Sequence, residues 1–114
     1  MATLDEGFVK LALDGREYIL KPTLDAAMTL SNIQGGLSGA AAAVSSQNLV
    51  AMAQVIQAGA SLPDSEFKAI QVRIWKAGTA KIWPDVYHFI QNLQAGGRDA
   101  RAIEPSAEAG EGNA

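Results

Sequence analysis

The chain has 114 residues and a net charge of −3, from nine basic and twelve acidic side chains. That length fits one domain with a modest core, and the acidic balance excludes nucleic acid as the main partner, because phosphate binding needs a concentrated basic surface. The absence of cysteine excludes disulfides and thiolate metal sites. No run approaches the roughly 18 apolar residues of a membrane span, and Met1–Asp5 lack the basic-then-apolar pattern of a signal peptide.

The first predicted element is a β-hairpin. Phe8-Val9-Lys10-Leu11-Ala12-Leu13 and Arg16-Glu17-Tyr18-Ile19-Leu20-Lys21 flank Asp14-Gly15. Asp-Gly between alternating runs marks a type I′ turn, since both central positions need positive φ. A two-residue loop fixes the register, with Leu13 opposite Arg16, Leu11 opposite Tyr18 and Val9 opposite Leu20. That face is mostly apolar. It must pack on something downstream, because an isolated hairpin is marginal in water.

Pro22 ends the second strand, and Thr23 is placed to cap a helix running from Leu24 to Gln34, with Asp25 at its positive end. Its predicted apolar stripe is Leu24, Ala27, Met28 and Ser31, and Gly35-Gly36 is the expected stop. Leu37–Val44 reads as either a short alanine-rich helix or a connector, and the helix is favoured. Ser45 or Ser46 is the expected cap of the next helix. That helix carries Leu49, Val50, Met52, Ala53, Val55 and Ile56, and is apolar on most sides, as a central buried element is.

Pro63-Asp64-Ser65-Glu66 opens a further helix, with acidic groups in its first turn. Phe67, Ile70, Ile74 and Ala77 form its stripe, and Gly78 ends it. The last helix begins at Thr79 or at Pro84, buries Val86, Phe89, Ile90 and Leu93, and stops at Gly96-Gly97. Beyond it, the small residues and scattered charges of Arg98–Ala114 predict a disordered acidic tail. The expected fold is α+β and mainly helical. A single domain over residues 1–97 packs the hairpin on a bundle of about four helices, followed by the tail over 98–114.

Catalytic chemistry has little to stand on in this pattern. His88 is the only histidine; with no second imidazole or thiolate it does not make an ordinary zinc site, and it reads as a partly exposed helix residue. Ser31, Ser38, Ser45, Ser46 and Ser61 lie in cap or small-residue contexts, not beside a base and an orienting acid. Gly35-Gly36-Leu37-Ser38-Gly39 follows a helix and lacks the Gly-Lys-Ser/Thr ending of a phosphate loop. Arg73, Lys76 and Lys81 read as a solvated helix face. The expectation is a non-enzymatic protein without cofactor or metal, working through its surfaces. Trp75 and Trp83, flanking Gly78, are large enough to be core or interface anchors, and the second strand offers an edge.

The segment from Gly7 to Ala27, Gly-Phe-Val-Lys-Leu-Ala-Leu-Asp-Gly-Arg-Glu-Tyr-Ile-Leu-Lys-Pro-Thr-Leu-Asp-Ala-Ala, resembles the opening of a small tail protein family of gene transfer agents and tailed phages. Ile33-Gln34-Gly35-Gly36-Leu37 and Val55-Ile56-Gln57-Ala58-Gly59 are similar to its next segments, in the same order, so the resemblance spans residues 7–95. The alanine- and serine-rich stretch from Gly39 to Ser46 departs from the family pattern. The resemblance implies a tail-assembly chaperone in the cytoplasm of a bacterial host. Such a protein binds the tape-measure protein and keeps its apolar stripes covered until tube subunits polymerise around it. The alternative is a structural tail or tail tube component retained in the particle, which one hairpin disfavours because closed rings bury their edges by sheet pairing. The implied partners are the tape-measure protein and tube subunits, with no membrane and no nucleic acid, and the oligomeric state stays open. Met28, Met52, Trp75 and Trp83 are the partner-binding candidates, methionine because its flexible thioether adapts to varied surfaces.

Overall fold

The computed structural model describes residues 6–100. Strand β1 (Val9–Leu13) pairs antiparallel with β2 (Arg16–Leu20) in the predicted register, Val9 against Leu20, Leu11 against Tyr18 and Leu13 against Arg16. Asp14 and Gly15 hold φ of 48° and 82°, the left-handed pair that a type I′ turn requires. Val9, Leu11, Leu13, Tyr18 and Leu20 are buried on one face. On the other face Lys10 and Glu17 form an ion pair at 3.3 Å, both well exposed.

Five α-helices follow: α1 (Leu24–Ser31), α2 (Gly36–Ser45), α3 (Leu49–Gly59), α4 (Phe67–Ala77) and α5 (Thr79–Gln94), with a 3-10 turn at Asp64–Glu66 leading into α4. The result is the expected mainly helical α+β fold. α3 is its centre, since it packs on β2 and on each of the other four helices. Ala51, Met52, Ala53, Val55 and Ile56 are all buried. Gly59, in the last turn of α3, fastens the hairpin to the helices. Its carbonyl accepts from the Lys21 N–H at 2.9 Å, and a Cβ there would lie 2.9 Å from the Phe89 ring and 3.1 Å from the Leu20 Cβ. Only a hydrogen fits between those two neighbours.

α5 begins at Thr79 and carries Pro84 inside it, which settles the choice of start in favour of the longer helix. The proline removes the N–H that would reach the carbonyl of Ala80. Both residues are exposed, so that carbonyl turns to water and the cost stays small. Val86, Phe89, Ile90 and Leu93 are buried as predicted, joined by Ile82. On α4, Ile70 and Ile74 are fully buried, while Phe67 and Ala77 pack at the edge of the core.

Several sequence expectations are corrected. α1 ends at Ser31, not Gln34, and buries Ala26 and Leu30; Leu24 and Met28, expected in the stripe, are 74% and 59% exposed. An eight-residue helix with apolar groups on several sides has no decisive periodicity, so its rotation is set by its packing on α2 and α3. Gly35, with φ 87°, is the N-cap of α2 instead of the stop of α1. Leu37–Val44 is helical, as favoured. The cap of α3 is Asn48, whose side chain accepts from the Ala51 N–H at 3.0 Å; Ser45 and Ser46 belong to the end of α2.

The C-terminal end of α5 is tied down. Asn92, fully buried, donates from Nδ2 to the Gly7 carbonyl at 2.8 Å and accepts on Oδ1 from the Ala100 N–H at 2.8 Å. His88 Nε2 lies 3.0 Å from Asp99 Oδ1. Arg98–Ala100, the start of the segment read as a tail, are thus placed against α5. The remainder of that expectation, residues 101–114, lies outside the described residues. No helix among the described residues is long and apolar enough to cross a membrane.

Candidate functional site

α1 and α3 lie side by side and leave an open groove of about 590 Å³ between them. Its floor is Ala26, Leu30, Ile33, Ala58 and Leu62, and its rim includes Asp25, Thr29, Gln54, Gln57 and Asp64. The local sequence explains the shape. Ala26 and Ala58 are too small to close the gap that a leucine would fill. Gln54 and Gln57 interrupt the apolar run of α3 three residues apart, which puts both amides on one helix face. That is the face which α1 leaves uncovered.

The rim is polar and one-signed. Gln57 Nε2 donates to Asp64 Oδ1 at 2.8 Å, closing the lower end of the groove. Asp25 and Asp64 are the only ionisable groups in the lining, and no lysine or arginine accompanies them. A partner lying here meets an apolar strip flanked by amides and negative charge.

A second, shallower depression of about 410 Å³ lies between Leu49 and the outer face of α4, lined by Lys68, Gln71, Val72 and Trp75. Trp75 is 72% exposed. It follows Ile74, which points inward, so the indole is turned out by its position on the helix.

The four sequence candidates do not form one surface. Met52 is fully buried and offers nothing to a partner, which corrects its place among them: it sits on the inner side of α3, facing the core. Met28 is exposed, but with Leu24 on the side of α1 away from the groove. Trp75 stands on α4, with α3 between it and α1. Trp83 is partly buried and packs edge-on against Tyr87, ring centroids 5.9 Å apart and planes at 73°, a favourable aromatic geometry. Sequence reasoning missed the groove residues Thr29, Gln54, Gln57, Ala58 and Leu62. The available signal was the pair of glutamines inside an otherwise apolar helix.

Among the described residues, no group of three or more histidine, cysteine or acidic side chains is placed to hold a metal ion. Compared with protein-family models, curated proteins and solved structures, the chain matches none.

Proposed function

We propose that this protein is a non-catalytic assembly chaperone of a phage tail or gene transfer agent, holding a helical segment of the tape-measure protein in the groove between α1 and α3. The supporting observation is the make-up of that groove, an apolar floor of small and medium side chains under a rim of amides and two carboxylates. An amphipathic helix laid in it would bury its apolar stripe, the usual mode of helix-in-groove recognition. The rim favours segments with lysine or arginine beside that stripe, since opposite charge steers encounter and fixes orientation. A chaperone must also let go. A shallow, half-polar groove supplies modest affinity, because buried area here is small against the cost of association.

The test is co-expression with a candidate tape-measure protein, followed by recovery of the complex. Thr29→Trp and Gln54→Trp fill the groove from exposed rim positions and leave the core intact. The wild-type chain is expected to bring the tape-measure protein into the soluble fraction, and the two variants to lose most of that recovery. Equal recovery with the filled groove would overturn the assignment of the site. Capture of tube subunits alone, with the tape-measure protein left insoluble, would favour a retained structural component, as would stoichiometric amounts of the chain in purified particles.

A further inference from the structure

Parts of the chain that are far apart in sequence meet on one buried side chain. Asn92 has no exposed surface. Its amide nitrogen donates to the Gly7 carbonyl and its amide oxygen accepts from the Ala100 N–H, both at 2.8 Å. The backbone carbonyl of Asn92 accepts from the Gly97 N–H, also at 2.8 Å. Gly96 and Gly97, with φ of 77° and 88°, turn the chain back along α5 by a left-handed path that glycine takes without strain. Gly7 and Gly97 then meet backbone to backbone. A Cβ on Gly7 would collide with the Gly97 carbonyl oxygen, and one on Gly97 would lie 3.0 Å from the Pro22 carbonyl oxygen. One turn before Asn92 on α5, His88 Nε2 lies 3.0 Å from Asp99 Oδ1.

We infer that Gly96–Ala100 is a strap that opens and closes as one unit, and that Asn92 couples it to the entry of the chain at Gly7. Gly96, Gly97, Arg98, Asp99 and Ala100 bring no apolar side chain larger than alanine. Opening the strap exposes little apolar area and costs far less than unfolding the bundle. It does not fray bond by bond. A buried amide stripped of one partner carries the full cost of its desolvation, so Asn92 holds both neighbours or gives up both to water. The two ends of that amide are a donor and an acceptor in fixed relation, and turning it to follow one segment loses the other. Whatever draws on one end of the domain therefore loosens the other end. None of Gly7, Asn92 and Gly96–Ala100 lines the groove between α1 and α3, so the strap stands or falls separately from the proposed function.

Residue-resolved amide exchange on the full chain, followed by NMR at low urea concentrations, tests it. The Gly97 and Ala100 amides are expected to share one protection factor, smaller than that of Ile90 in α5. That factor is expected to be nearly independent of urea, because a local opening exposes little surface. Gly7→Ala pushes on the Gly97 carbonyl from the N-terminal side. It is expected to speed exchange at Gly97, and at Ala100 through Asn92, about tenfold, the worth of one hydrogen bond, with circular dichroism unchanged. Asn92→Asp keeps the acceptor for Ala100 but sets an oxygen against the Gly7 carbonyl, and is expected to release both amides. Asp99→Ala, a milder change at a half-buried position, loosens the hold at His88 and is expected to speed both amides alike. An Ala100 amide that exchanges freely in the wild type overturns the inference. So does a urea dependence as steep as that of Ile90, a Gly7→Ala variant that leaves Ala100 unchanged, or an Asp99→Ala variant that frees Ala100 without Gly97.

Discussion

Met52 and Met28 sit in similar helical sequence, each among alanines and aliphatic residues, yet one has no exposed surface and the other is 59% exposed. The difference is where each helix puts its methionine: Met52 lies on the inner side of α3, and Met28 on the side of α1 turned away from the groove. On the inner side, α3 meets α4, α5 and the hairpin so closely that Gly59 has no room for a methyl group beside Phe89 and Leu20. On the outer side, Gln54 and Gln57 border an open groove, and α1 beyond it turns Leu24 and Met28 to water. Residue type sets what a side chain is able to do. The packing of its helix decides whether it works for stability or is left for a partner.

The contrast is sharpest in truncations of matched chemistry, followed by urea denaturation. Met52→Ala opens a cavity in the centre of the core and is expected to cost about 2–5 kcal/mol. Gly59→Ala forces the Phe89 ring and Leu20 apart and should cost about 1–3 kcal/mol, less a part returned by the better helix propensity of alanine. Asn48→Ala removes the acceptor for the Ala51 N–H and should cost about 1 kcal/mol. Met28→Ala is expected to stay within about 0.5 kcal/mol. If Met28→Ala and Met52→Ala cost the same, the two methionines are not packed as described.

The sequence made some of this legible and not the rest, for identifiable reasons. The hairpin was readable to the residue because Asp14-Gly15 admits one turn type and one register. The buried stripe of α5 was readable because a 16-residue helix repeats its pattern often enough to choose a face. α1 was misread because eight residues do not. Asn48 stands immediately before Leu49 and was the better cap by position; the two serines drew the reading because serine is so common there. Asn92 lies among Phe89, Ile90 and Leu93, and nothing in that pattern marks a polar residue there as buried. It is buried because the backbone at Gly7 and Ala100, far off in sequence, brings it partners. The groove was illegible for a related reason: it belongs to the space between two helices, and only the glutamine pair on α3 hints at it.

Hydrogen–deuterium exchange on the complex with the tape-measure protein, against the free chain, tests the central claim most directly. Slowed exchange in Thr29–Gln34 and Gln54–Leu62, with α5 unchanged, is the predicted footprint. A complex whose protection falls elsewhere, leaving both of those segments as fast as in the free chain, would contradict it.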